Sequence, residues 1–131
     1  ERFAVGYDVE LIPMKLPSET KFPVEPTAAS KMIAQSAAAL DAKATRDALL
    51  KVPGCRLGPD GSIDYLGAGL SYARMHVKPK AVHVENNCGP KDLLKIQAGL
   101  AEVMGPMFML DLQSGQLHDS TSFAQWWAKP L

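Results

Sequence analysis

The chain has 131 residues, enough to bury a core without disulfides or a structural metal. Apolar residues make up 47% of it and charged residues 21%, the balance of a folded domain and not of a disordered segment. Its 14 basic residues cancel its 14 acidic ones, which excludes the single-signed field of a non-specific nucleic-acid or polyanion binder.

Residues 3–14 alternate with period two, and Val5, Tyr7, Val9 and Leu11 fall on one face; this predicts a half-buried strand ended by Pro13 and Pro17. Prolines recur through residues 15–26, so that stretch reads as an extended surface connection. Residues 27–52 are alanine-rich and free of Gly and Pro, which predicts a helix capped by Thr27 or Ser30. Met32, Ile33, Leu40, Leu49 and Leu50 are its larger apolar anchors, and its length leaves room for a break near Asp41. A hairpin follows over residues 55–67, turned by Gly58-Pro59-Asp60-Gly61. Gly67 and Gly69 mark a bulge, bend or short break before the next strand, residues 70–77.

Residues 81–85 form a compact apolar strand, and Pro90 then opens a second helix at its first turn. Leu93, Leu94, Ile96, Leu100, Val103 and Met104 trace the buried face of that helix, and Gly105 closes it. Residues 106–112 are almost wholly apolar, as in an interior strand, and Ser114-Gly115 turns the chain back through residues 116–119. Residues 121–131 predict a terminal helix that packs Phe123 and one tryptophan on the body. The order of elements predicts one α+β domain over residues 1–131, a mainly antiparallel sheet covered by two or three helices. A ferredoxin-like βαββαβ core is a candidate topology.

Few constellations carry chemistry. His83-Val84-Glu85, followed by Cys88, matches the His-x-Glu of a zinc deaminase but lacks the Pro-Cys-x-x-Cys run that completes its ligand set. Strand alternation puts His83 and Glu85 on one face, which gives a surface pair and no metal site. Cys88 stands near a helix start, where a thiol pKa is lowered, so His83, Glu85 and Cys88 define the rival reading as a small enzyme. Ser71 lies in no nucleophile elbow, and the glycines at 54, 58, 61, 67 and 69 form no phosphate loop. Asp111 shares a face with Met107 and Met109, where it is expected to meet solvent at a strand end and to be held by the amides of residues 113–115. His118, across the hairpin, is its only local titratable neighbour, so a structural role is expected over a catalytic one. Cys55 and Cys88 have no CxxC spacing and read as free thiols, with one bridge as the alternative in a secreted protein. The expectation is a non-enzyme with no catalytic residue, cofactor or metal.

No apolar run approaches the roughly 18 residues that span a bilayer, and no basic-then-apolar leader opens the chain. A cytoplasmic location is expected, with the periplasm left open because the sequence starts at Glu1 and not at Met.

One resemblance enters on residues 63–118. The helix end Leu100-Ala101-Glu102-Val103-Met104-Gly105, the apolar strand after it with its Asp-x-Gln-Ser-Gly turn at residues 111–115, and the strand pair over residues 63–77 resemble small bacterial immunity proteins. These accompany toxins of contact-dependent, type VI secretion and other polymorphic systems. The resemblance implies a stoichiometric inhibitor, monomer or homodimer, that binds one cognate protein toxin and occludes its active site, with no nucleic acid or membrane involved. Candidate anchors for such a partner are Tyr65, Tyr72, Trp126 and Trp127. Candidate charges are Asp60, Asp64, Glu85, Asp111 and Asp119, set to meet a basic cleft. An adaptor or chaperone-type module, which binds without inhibiting, is the alternative.

Overall fold

The computed structural model describes residues 7–86 and 88–128. The expected strand residues Phe3 and Val5 and the last three residues of the predicted terminal helix lie outside that set, as do the side chains of Tyr7 and Trp127. In chain order the elements are β1 (Tyr7–Pro13), α1 (Pro26–Ser36), α2 (Ala42–Leu50), β2 (Cys55–Leu57), β3 (Ile63–Leu66), β4 (Tyr72–Val77), β5 (Val82–Asn86), α3 (Pro90–Met104), β6 (Met107–Asp111), β7 (Leu117–His118) and α4 (Ser120–Ala128).

The strands form one seven-stranded antiparallel sheet in the order β2-β3-β4-β5-β1-β6-β7. Its central four, β4-β5-β1-β6, are linked by helical crossings after β1 and after β5, which is the connectivity of a ferredoxin-like βαββαβ core. The β2–β3 hairpin widens this core on one side and β7 on the other.

Alternation along β1 decides which side chains go where. Val9 and Leu11 are fully buried on one face, while Asp8 and Glu10 stand on the other. The first face is joined by Ile63, Tyr65, Ala73, Met75, Val82, Val84, Met107 and Met109, and is roofed by α2, α3 and α4 through Leu49, Leu93, Ile96, Leu100 and Phe123. A smaller cluster covers one end of the opposite face. There Ile12, Ala81 and Leu117 meet Ala29 of α1, with Met14 and Val24 of the connection, and Phe22 stacks on Phe108 at 5.4 Å between ring centroids.

The long alanine-rich segment breaks where the sequence left room for it. Ala37 leaves the helical region at the end of α1, and the Asp41 carboxylate accepts the Ala44 amide at 2.8 Å to start α2. The cap of α1 differs from expectation. Glu25 fills that place, accepting the amides of Ala28 and Thr27, with Pro26 in the first turn where its missing N–H costs nothing. The Gly67–Gly69 region is a break: Gly67 and Ser71 close a turn, so β3 and β4 are a hairpin and not one bent strand.

Close packing of α2 against α3 rests on Gly99, whose absent Cβ would lie 2.6 Å from Cγ2 of Val52. Valine is stiff at χ1 and yields poorly. Gly99→Ala should therefore destabilise the fold by about 1 kcal/mol or more, although alanine is the better helix former by about that amount. Urea unfolding of Gly99→Ala, Val52→Ala and the double variant checks this; the double variant should be more stable than the sum of the two singles.

Candidate functional site

Beyond the cluster around Ile12, no described helix lies over the second face of the sheet, and there the outward residues of five strands form two polar rows. Register fixes the first as Arg56 (β2), Asp64 (β3), Arg74 (β4), Glu85 (β5) and Asp8 (β1), each opposite the next. The second runs His76 (β4), His83 (β5) and Glu10 (β1). Each of these residues alternates along its strand with a core residue, such as Ala73 and Met75 beside Arg74, or Val82 and Val84 beside His83.

Charges in the first row alternate in sign until Glu85 faces Asp8, a like pair that on its own is destabilising. Each of those carboxylates has an imidazole beside it. His83 Nε2 lies 3.3 Å from Asp8 Oδ2, and His76 Nε2 lies 3.3 Å from Glu85 Oε1. The other ring nitrogen of His83, Nδ1, lies 3.4 Å from Glu10 Oε2, which also meets Lys78 Nζ at 3.7 Å. Asp64 accepts from Arg74 Nε at 2.9 Å and from the Tyr72 hydroxyl at 3.4 Å. That hydrogen bond and charge push the Arg74 guanidinium pKa up from its ordinary value.

The expected contact residues fall into three groups. Tyr72 and Glu85 share the open face, as does Asp64, which is nonetheless buried at 8% exposure with Tyr72 and Arg74 bonded to its carboxylate; Asp60 sits at the exposed tip of the β2–β3 hairpin with a left-handed φ of 60°. Asp119 and Trp126 belong to the opposite layer: Asp119 caps α4 through the Ser122 amide at 2.8 Å, and Trp126 packs beside Phe123 at 5.9 Å between ring centroids.

Tyr65 and Asp111 are corrections, because both point into the interior and present no surface to a partner. Tyr65 is 1% exposed; its hydroxyl donates to Asp92 at 2.8 Å, with Lys95 Nζ 5.5 Å from the ring centroid. Burial first, and then that bond to Asp92, push its pKa up to about 12. Asp111 is also 1% exposed, since the face it shares with Met107 and Met109 is the roofed one. Of the expected amide bonds to its carboxylate one is present, from Gln113 to Oδ1 at 3.0 Å; Oδ2 accepts instead from the Ser114 hydroxyl at 2.6 Å. His118 turns toward Ser122, with Nδ1 3.0 Å from its hydroxyl oxygen.

Asp8, Glu10, Arg74, His76 and Lys78 were not singled out in the sequence, although the period-two pattern that placed His83 with Glu85 places most of them on the same face. The rival enzymatic trio does not share a site. Cys88 is fully buried in the main core, on the other side of the sheet from His83 and Glu85. Burial also reverses the expected effect of the helix start, pushing the Cys88 thiol up to about 12. Cys55, half-buried, is pushed up to about 11 for the same reason, and the two cysteines are not joined in a disulfide.

As the side chains stand, no three His, Cys, Asp or Glu groups among the described residues are arranged to hold a metal ion. No helix among them is long and apolar enough to cross a membrane. Comparison with known protein families, curated proteins and solved structures finds no match.

Two outcomes follow from burial. Both thiols should resist iodoacetamide at pH 8 in the folded protein and react once it is unfolded. Thiol pKa values raised on folding add stability that is complete below the ordinary value of 9.0 and lost as pH rises toward about 12. The urea midpoint should therefore fall over that window, and fall less steeply in Cys88→Ala.

Proposed function

We propose that this chain is an immunity protein that binds a cognate bacterial toxin through the open face of its sheet and occludes the toxin's active site. The observation that carries the reading is a polar face bearing Asp8, Glu10, Asp64, Arg74 and Glu85 on a sheet whose other face is covered by α2, α3 and α4. The resemblance over residues 63–118 supplies the class of partner.

A tight inhibitor needs roughly 800 Å² on its own side, with a few anchors near the middle and charges that steer approach. Tyr72 and Arg74 occupy that central place, between the hairpin and β5. Asp8, Glu10 and Glu85 form the acidic side, suited to a basic cleft of the kind that handles nucleic acid or nucleotides. The chain acts as a stoichiometric cap, not as an enzyme, in the compartment its toxin attacks, for which the cytoplasm is the first choice.

The test is capture of a partner by the tagged chain from its native host, followed by expression of that partner alone and together with this chain. The expected result is a one-to-one complex and relief of toxicity. A partner that binds without loss of its activity would replace this reading with the adaptor one. Within the complex, Glu85→Lys and Tyr72→Ala should each weaken affinity about tenfold or more while leaving the fold intact. Wild-type affinity in both would remove the open face as the interface.

A further inference from the structure

His83 stands between two acids of the neighbouring strand. Its Nε2 lies 3.3 Å from Asp8 Oδ2, and its Nδ1 lies 3.4 Å from Glu10 Oε2. We propose that this imidazole makes docking on the open face proton-linked: protonated, it holds Asp8; deprotonated at Nε2, it releases Asp8 to a cationic side chain of the partner. The inference rests on the open face as the docking surface and adds the condition under which that surface is available.

Donor count separates the two states. A neutral imidazole has one N–H and one lone pair, so it donates to only one of two carboxylates and turns a repelling lone pair toward the other. Only the imidazolium, with an N–H on each nitrogen, satisfies both acids at once. Histidine is also the side chain whose charge changes between about pH 5 and 8.

The neighbours decide which contact survives. Glu10 is held by Lys78 Nζ at 3.7 Å and keeps the Nδ1 proton of His83. Asp8 is pushed from both sides, by the Nε2 lone pair and by Glu85 opposite it, and its side chain, 36% exposed, has room to turn outward. Glu85 lies 3.3 Å from Nε2 of His76, whose ring centroid is 6.3 Å from that of His83, so loss of the His76 proton weakens that pairing too. Arg74, opposite Glu85 on β4, is bonded to Asp64, and on the β6 side Leu110 lies opposite Glu10.

The sign of the face follows the two rings. Asp8, Glu10, Asp64 and Glu85 outweigh Arg56, Arg74 and Lys78 by one negative charge when both imidazoles are neutral, and the excess becomes one positive charge when both are protonated. A basic partner is attracted in the first state and repelled in the second, so affinity falls as pH falls.

Two measurements on the full chain test this. In the free protein, imidazole nitrogen NMR shifts should show both nitrogens of His83 protonated at about pH 5 and only Nδ1 protonated at about pH 8, with the side-chain carboxyl signal of Asp8 moving over the same interval. A proton kept on Nε2 instead of Nδ1 at about pH 8, or an Asp8 signal that ignores His83, would overturn the release. Hexa-arginine then stands in for a basic cleft. At low salt its binding should weaken about fivefold or more between about pH 7.5 and 5.5. That difference should shrink in His76→Gln and Asp8→Asn, both at exposed positions, and vanish in His83→Gln, with circular dichroism verifying each fold. Equal binding at the two pH values, binding at neither, or a full pH effect in all three variants overturns the proton link. A pH effect that persists while toxicity rescue fails removes the toxin reading alone. Rescue that succeeds, with Glu85→Lys weakening the complex and no pH effect on the peptide, removes the proton link alone.

Discussion

The register of β1 between β5 and β6 is the constraint on which the rest of the molecule depends. Both edges of the strand are paired, so no solvent-facing edge relieves an error in either ladder. A slip of one residue would turn Val9 and Leu11 toward water and drive Asp8 and Glu10 under α2 and α3. The cost of burying two carboxylates without partners far exceeds that of losing two aliphatic contacts. The same register seats Asp111 opposite Val9 and Glu85 opposite Asp8. One strand thus fixes both the interior turn acid and the exterior polar rows.

From that arrangement follows the unequal treatment of the two faces. Helix α2 of the first crossing and α3 of the second pack on one side, and α4 joins them there. The other side receives only α1 and its connection, which reach Ile12, Ala81, Phe108, Leu110 and Leu117. Beyond the reach of α1 the strands keep period two but with charged and imidazole side chains outward, as an antiparallel sheet with one wet face does. The break between α1 and α2 makes this division possible. Ala37 and the Asp41 cap let an otherwise continuous helical segment serve one side of the sheet and then the other.

Much of the fold was legible because its signals are local. The alternation in β1 and β5, the turn residues at 58–61, Pro90 and Gly105 around α3, and the alanine-rich run with its break all act within a few residues of where they are read. The site was legible only in part, and for one reason. Alternation says which residues share a face, but not which face becomes roofed. Asp111 was grouped correctly with Met107 and Met109, yet its exposure depended on α3 and α4 packing over that group. Tyr65 has the look of an anchor until Asp92, 27 residues on, takes its hydroxyl into the interior. Cys88 shows the same limit from another side: the field of a helix start is a local effect, and full burial in a core assembled from distant strands outweighs it.

The opposition of Asp8 and Glu85 is where local preference and global fold disagree. Two carboxylates directly across from one another weaken an antiparallel pair, and either position would be served better by threonine or lysine if the sheet alone mattered. One histidine lies within reach of each acid, and Arg74 stands opposite Glu85 on its other side. Such a cluster adds little to stability, since exposed ion pairs are worth at most about 1 kcal/mol. A sequence that meets its core requirements cleanly at Val9, Leu11, Val82 and Val84 had no structural need to place acids and imidazoles between them. Local rules give way at functional or strained sites, and here the departure is confined to an open surface.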